Sequence, residues 1–282
     1  MNENYYTVAM ALMWGQHALE ESQITTTPAL DAELLLQHAT GASKEEIYFE
    51  PSREVIEKSY HDYERLIARR KNGEPIAYIV GFKEFFGLKF DVDGSVLIPR
   101  PETEELVEKA LEYIKNNKKN KLTILDLGTG SGAIALSIAS CLKNWKEKYD
   151  FDDENIQIIA SDVSEKALNT AKSNAKKMRL SKKIKFIQSD LLQDIKEIQN
   201  VDLIVANLPY LDPINRNKYA TDLSYEPHLA LYAGENGLDY YKDLFAQIKK
   251  MNIKPKVIVE CEEYQKEAME SIYKNITCVV VD

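Results

Sequence analysis

At 282 residues the chain has room for one large or two modest domains, each able to bury a real core. Its 44% apolar and 29% charged residues are those of a globular protein, and a formal net charge of −9 argues against a broad nucleic-acid-binding surface, which needs basic patches. Cys141, Cys261 and Cys278 are widely spaced and in apolar company, so they read as buried free thiols of a reducing compartment, not as disulfides or zinc ligands. His17, His38, His61 and His228 show no ligand spacing, and no metal is expected. No signal-peptide pattern or uninterrupted apolar 20-mer is present, so a cytoplasmic location without membrane contact is expected.

From the start to about residue 72 the pattern is helical, with no strand signal. Val8, Leu12 and Leu19, with Ala11 and Ala18, form one apolar stripe. Thr27 before Pro28 reads as an N-cap with proline at the first helical position, and the helix of Leu30, Leu34, Leu35 and Ala39 stops at Gly41. Ser43 and Glu46 make a capping box for a short helix. A longer one carries Val55, Ile56, Tyr63, Leu66, Ile67 and Arg70 and ends at Asn72-Gly73. This bundle is either a structural cap on the next domain or a recognition module.

From Pro75 the period changes to two. Phe86, Leu88, Phe90 and Val92 alternate with Gly87, Lys89 and Asp91, which predicts a strand. Asp93-Gly94 is a turn pair and Ser95 to Ile98 a second short strand, together a hairpin suited to connect two domains. In Ile98-Pro99-Arg100-Pro101-Glu102-Thr103-Glu104 the prolines fix an extended segment. Pro101 with the acids is also an ordinary start for a helix through Leu106, Val107, Ala110, Leu111 and Ile114.

Leu122 to Leu127 is an apolar run broken only by Thr123 and Asp126, as in a buried parallel strand. The chain then turns through Gly128, Thr129, Gly130, Ser131 and Gly132 into Ala133, Ile134, Leu136, Ile138 and Ala139 at helical spacing. Such a turn opens bare backbone N–H groups and a helix N-terminus to a ligand. The spacing is G-x-G-x-G, not the G-x-G-x-x-G that cradles a pyrophosphate. With the Asp126 carboxylate beside it, the loop suits a cationic, adenosine-bearing ligand and looks like motif I of the class I S-adenosylmethionine methyltransferases.

Asn144 to Asn155 is polar, a loop or a helix extension. Ile156 to Ser161 is a second strand ending in Asp162, which can accept ribose hydroxyls or cap the helix of Ala167, Ala171 and Ala175. A third strand, with Ile184, Phe186 and Ile187, ends in Ser189-Asp190-Leu191, an acid and an apolar residue for the amino group and face of adenine. A fourth, Val201 to Ala206, ends in Asn207-Leu208-Pro209-Tyr210. A planar amide or amine nitrogen is a poor nucleophile, so a site that methylates it must orient it and stabilise developing charge. The Asn207 side-chain carbonyl can accept one N–H and the Leu208 backbone carbonyl the other. Pro209 keeps Leu208 extended, and Tyr210 offers a ring to pack on the planar group.

The chain resembles the HemK/PrmC family, the N5-glutamine methyltransferases of peptide chain release factors. The likeness runs over the helical N-terminal domain, GEPIAYIVG, IPRPETEELV, DLGTGSGAIAL, the tetrapeptide and YEPHLALYAGENGLDYY. It implies a helical substrate-recognition domain at 1–74, a β-hairpin linker at 75–98 and, at 99–282, an α/β, Rossmann-like class I methyltransferase domain. It further implies S-adenosylmethionine held by Asp126, Gly128, Thr129, Gly130, Ser131, Gly132, Asp162, Asp190, Leu191 and Asn207. The glutamine of a release factor's Gly-Gly-Gln loop would lie on Asn207, Leu208, Pro209 and Tyr210, bordered by Ile98, Pro99, Arg100 and Pro101. The implied role is in translation termination, with no direct nucleic-acid partner.

Two features depart from that pattern. Leu208 stands where the family tetrapeptide has its first proline, and Asn-Leu-Pro-Tyr also occurs in ribosomal-RNA adenine dimethylases, so N6-adenine methylation of ribosomal RNA is the alternative. The contact at 208 is a backbone carbonyl, which leucine supplies equally, and the acidic charge and N-terminal bundle favour glutamine. Cys261-Glu262-Glu263 replaces small and amide residues after a fifth strand, Val257 to Glu260. A helix from Tyr264 to Tyr273 leads to a sixth strand, Ile276 to Val281, with Asp282 standing where relatives continue into a last antiparallel strand. That sixth strand either pairs directly with the fifth or sits loosely at the sheet edge. A binding module without catalysis is a third reading.

Overall fold

The computed structural model describes residues 6–117, 121–149, 153–213, 221–274 and 276–281. The chain forms two compact units, Met1–Gly81 with Ala220–Tyr225, and Phe82–Tyr219 with Glu226–Asp282. In the first, helices α1 (Val8–Ser22), α2 (Pro28–Thr40), α3 (Lys44–Phe49), α4 (Glu57–Lys71) and α5 (Ile76–Val80) enclose Leu19, Leu35, Leu36, Ile47, Tyr63 and Ile67. Two-residue strands β1 (Tyr6–Thr7) and β2 (Glu54–Val55) pair antiparallel, where the sequence pattern predicts none. Segments that short carry too little alternation to register as strands. Val55 and Ile56 therefore precede α4 instead of opening it.

The capping box at Ser43 and Glu46 forms with both bonds in place. Thr27 precedes α2 as expected, but its hydroxyl donates to the Asp31 carboxylate and caps no backbone N–H. Arg70 sits on the apolar stripe of α4 because its Nε donates to the equally buried Asp31 at 2.8 Å. A charge enters such a face only when paired.

In the second unit, β3 (Phe82–Phe85) and β4 (Leu88–Asp91) make the hairpin, with its turn at Phe86-Gly87. Both turn residues have left-handed φ, 50° and 70°, which suits the twist of a two-residue hairpin loop. The expected turn at Asp93-Gly94 is not the hairpin turn, and Ser95 to Ile98 forms no strand. There the Asp93 carboxylate accepts the Ser95 N–H locally. Phe86 hides the true turn because it is neither Asn, Asp nor Gly. The hairpin is also no free linker, since Phe85 and Phe90 are buried in the same core as α6 (Glu104–Asn116) and α7 (Ala133–Tyr149).

The centre of this unit is a six-stranded parallel sheet in the order β10-β9-β8-β5-β6-β7. Its strands are β5 (Leu122–Leu127), β6 (Ile156–Asp162), β7 (Ile184–Gln188), β8 (Leu203–Ala206), β9 (Lys256–Glu260) and β10 (Cys278–Val281). Helices α8 (Glu165–Lys177), α9 (His228–Leu231), α10 (Asp239–Lys250) and α11 (Lys266–Ile272) complete it. Ile124, Ile158, Val205 and Ile258 pack toward α6 and α7, while Leu125, Ile159, Ile204 and Val257 pack toward Leu244 and Phe245 of α10. Alternate residues thus feed two cores, which is why these strands read as continuous apolar runs.

β10 pairs directly with β9, from Cys278 opposite Val257 to Val281 opposite Glu260. The polar stretch after Asn144 begins as an extension of α7 to Tyr149, and residues 150–152 lie outside the described residues. The segment from Tyr264 passes through a 3-10 turn before α11. All three cysteines are free, but only Cys261 is buried. Among the described residues no helix is long and apolar enough to cross a membrane.

Asn174 on α8 ties the hairpin to the glycine turn. Its amide accepts Asp91 N–H (2.9 Å) and donates to Asp91 O (3.1 Å) and Ser131 O (2.9 Å). Asn174→Ala strands these backbone groups and should lower the unfolding free energy by about 2–3 kcal/mol in urea titrations. An unchanged midpoint and slope would show that they are satisfied by solvent.

Candidate active site

The chain leaves β5 toward β6 on one side and returns to β8 on the other, so a crevice opens beyond the carboxyl ends of these strands. At the tip of β5, Gly128 N–H and Thr129 N–H both donate to Ser161 O of β6, at 2.9 and 2.8 Å. Gly128 and Gly130 have φ of 74° and 55°. A Cβ on Gly130 would stand in open space, and one on Gly128 would press on Leu208 Cδ2 at 3.1 Å. Gly132 has a different task. A Cβ there would meet Leu136 at 2.8 Å and Ala171 at 3.3 Å, so it serves helix packing.

One pocket is lined by Gly128, Gly130, Asp162, Asp190, Leu191, Asn207, Leu208 and Pro209, together with Leu127, Val96, Ser189, Pro227, Leu229 and Tyr240. A neighbouring recess shares Gly128, Gly130 and Asn207 and adds Pro99, Arg100, Thr103, Thr129 and Ser131. Asp126, Gly132, Ile98, Pro101 and Tyr210 line neither.

Asp126 departs most from its expected role. Its carboxylate is fully buried and does not face the pocket. Oδ2 accepts Thr129 Oγ1–H at 2.6 Å and Ala135 N–H at 3.1 Å, at the N-terminus of α7, and Oδ1 has no partner. The carboxylates that line the pocket are those of Asp162 and Asp190, and Asp162 is the one beside the glycine turn. It accepts Gly130 N–H and Ser164 N–H, each at 2.9 Å, but it is not the cap of α8: that is Ser164, whose hydroxyl accepts Ala167 N–H at 3.2 Å. The Ser189-Asp190-Leu191 turn is held by the Ser189 hydroxyl donating to Leu191 O, with Leu191 at φ 50°.

At the end of β8 the Asn207 Nδ2 donates to Thr103 Oγ1 (2.9 Å) and to Glu260 Oε1 (3.0 Å). The same Glu260 oxygen accepts the Tyr210 hydroxyl at 2.9 Å. Gln265 Nε2 donates to Tyr210 O and Asn236 O, both at 2.9 Å. Tyr210 therefore stands behind the tetrapeptide, its hydroxyl committed to Glu260. Arg100 is fixed by an ion pair with buried Glu226, whose other oxygen accepts Ile98 N–H at 2.9 Å. Thr103, Glu226, Glu260 and Gln265 are not singled out by the sequence pattern. The available signal for Glu260 is an acid closing an apolar run, as Asp162 does on β6.

A parallel sheet with a glycine turn, a carboxylate at the neighbouring strand tip and an Asn-headed strand end forms an α/β ligand crevice, and the family match makes it that of a methyltransferase. Residues 118–278 match the methyltransferase domain family, and residues 10–81 the PrmC N-terminal domain. The chain is 34% identical to the release factor glutamine methyltransferase of Rhodopirellula baltica, over 92% of this chain and 85% of that protein. It is 40% identical to that of Haemophilus influenzae, over 80% and 75%. The chain belongs to the release factor glutamine methyltransferase family. Among solved structures, the catalytic domain of hMettl16 in complex with MAT2A 3′UTR hairpin 6 superposes with a TM-score of 0.51 at 18% identity, over 73% of this chain and 72% of that one, a likeness of fold.

Burial raises Asp126 from its usual 3.8 to about 7, against the lowering bonds from Thr129 and Ala135, and the nearby Asp162 charge adds to the rise. The folded state thus holds this proton more tightly than the unfolded chain. That stabilisation is complete below the unfolded value and is lost as pH rises through about 7. Wild type should therefore lose stability relative to Asp126→Asn over that interval. A difference in melting midpoint that does not change with pH would refute the buried proton.

Proposed function

We propose that this protein transfers a methyl group from S-adenosylmethionine to the side-chain amide nitrogen of the glutamine in the Gly-Gly-Gln loop of peptide chain release factors. The single observation that carries the reading is the direction of the Asn207 amide. Its nitrogen is spent on Thr103 and Glu260, which leaves Oδ1 as an acceptor at the pocket.

The residues present fit the cofactor. Gly130 leaves open space where any side chain would intrude, and Asp162 lines the same cavity with a carboxylate suited to ribose hydroxyls. Asp190 and Leu191 give the acid and the apolar surface for adenine. When bound, S-adenosylmethionine supplies an electrophilic methyl group on a sulfonium.

The chain's own part is orientation and electrostatics. Asn207 Oδ1 and the Leu208 carbonyl each accept one N–H of the acceptor amide. Its nitrogen is turned toward the cofactor side, and both dipoles stabilise the positive charge that grows on nitrogen. The extra amide proton would leave to solvent after the methyl group has been transferred, so removing it beforehand is not required. Arg100, braced by Glu226, borders the recess on the acceptor side. The helical unit, residues 10–81 of which match the PrmC N-terminal domain, is assigned to recognition of the release factor. The ribosomal-RNA alternative gains nothing from the named relatives.

The test is labelled S-adenosylmethionine with purified release factor, its loop Gln-to-Ala variant and ribosomal RNA. Label is expected on the first alone, and label on the RNA alone would overturn the reading. Asn207→Ala should lower turnover roughly 10²–10³-fold with little change in cofactor affinity, on the scale of losing one preorganised group at developing charge. Asp162→Ala should do the reverse, weakening cofactor binding by about 1.5–3 kcal/mol in calorimetry. Unchanged affinity in a folded variant would leave Asp162 as a loop and helix anchor.

A further inference from the structure

We infer that Glu260 is a positioning residue for methyl transfer: its ionised carboxylate sets which end of the Asn207 amide faces the acceptor nitrogen and fixes the Tyr210 hydroxyl behind it. The inference rests on the glutamine-methyltransferase reading above and deepens it.

A carboxamide is nearly symmetric in shape, so its partners alone decide where the oxygen points. Thr103 decides nothing by itself, because a hydroxyl donates or accepts with equal ease; its own proton is turned to Glu260, which leaves it an acceptor for Asn207. An ionised carboxylate only accepts, so Glu260 Oε1, at 3.0 Å, admits the NH₂ end of Asn207 and excludes its oxygen. The same oxygen accepts a hydrogen bond from the Tyr210 hydroxyl. Tyr241 couples the backbones as well, accepting Leu208 N–H at 3.3 Å and donating to the main-chain oxygen of Glu260. Three links thus join the end of β9 to the tetrapeptide, and Glu260 itself is 2% exposed. Its second oxygen, Oε2, is buried without a hydrogen-bond partner. A structural anchor needs no charge in such a place; an amide-orienting group does.

Protonation removes the rule. A neutral carboxyl can donate to Asn207 Oδ1, and the amide then turns its NH₂ toward the acceptor nitrogen, donor against donor. Burial holds the Glu260 carboxyl above the usual carboxylate range, with the charge of Glu102 adding to the rise, while the bonds from Thr103, Tyr210 and Asn207 oppose it. Arg100 and Glu262 act on the adjoining Tyr210, and Cys261 follows on the same strand end. Turnover should therefore fall on the acid side as pH drops through the raised Glu260 value.

Glu260→Gln keeps the shape but offers both a donor and an acceptor. Turnover on release factor should drop about 10–100-fold, the usual scale for a residue that orients a ligating group, with S-adenosylmethionine affinity unchanged in calorimetry. The acidic limb of kcat should disappear. In substrate-free wild type the Asn207 side-chain amide signals, assigned by their loss in Asn207→Ala, should titrate together with Glu260, above the usual carboxylate range. They should not titrate in Glu260→Gln. This readout needs neither turnover nor a perturbed fold. Wild-type kcat with its acidic limb intact in Glu260→Gln would overturn the role of Glu260, as would amide signals that ignore pH in wild type. A wild-type enzyme that leaves release factor unmethylated would instead refute the function on which the role depends.

Discussion

The parallel pairing of β5 with β6 on one side and β8 on the other is the constraint on which the site depends. Parallel strands bring all their carboxyl ends to one edge, and the reversal of strand order beside β5 opens that edge. It also leaves loop backbone groups that the sheet does not satisfy. Ser161 O takes two of them, Asp162 takes Gly130 N–H and Asp126 takes Ala135 N–H. A slip of one residue in β5 would exchange its two faces and turn Asp126 away from the helix end that it caps. Register is therefore what converts a glycine-rich sequence into a ligand-shaped turn.

Polar side chains from distant parts of the sequence then fix the end of β8. Asn207 is tied to Thr103 and Glu260, 104 and 53 positions away. Gln265 holds the carbonyl of Tyr210, and Gly237 allows the approach, since a Cβ there would lie 1.9 Å from that oxygen. These contacts are polar because the strand end has finished its ladder and must find other partners. Their precision comes from burial, which excludes the water that would otherwise compete.

The same physics decides how much was legible in the sequence. The central strands of the sheet are buried and mostly apolar on both faces, so Leu122 to Leu127 and its neighbours announce themselves. The hairpin does not, because Phe86 occupies a left-handed turn position more typical of Asn or Gly. Asp126 shows in sequence as an acid beside glycines, and nothing local reveals that it points into the core. Glu226 reads only as part of a motif, since its bond to Ile98 N–H spans 128 positions. Glu260 was within reach: an acid at the end of Lys256–Glu260 repeats the pattern of Asp162 on β6. Local periodicity reports burial, whereas pairing between strand ends is a property of topology.

The leucine at 208 shows how a departure from the family pattern is absorbed. A proline there would have no N–H to give. Leu208 has one, and buried at the strand end it requires a partner. Tyr241, itself fully buried, accepts it and donates a hydrogen bond to the Glu260 carbonyl. The Leu208 side chain fills the space that Gly128 leaves, close to where a Cβ on that glycine would lie. The proposed acceptor, the Leu208 carbonyl, is a backbone atom that either residue provides. Pro209 still follows and favours the extended conformation at 208. The substitution thus adds a donor on the protein side of the strand end while leaving the ligand side chemically the same.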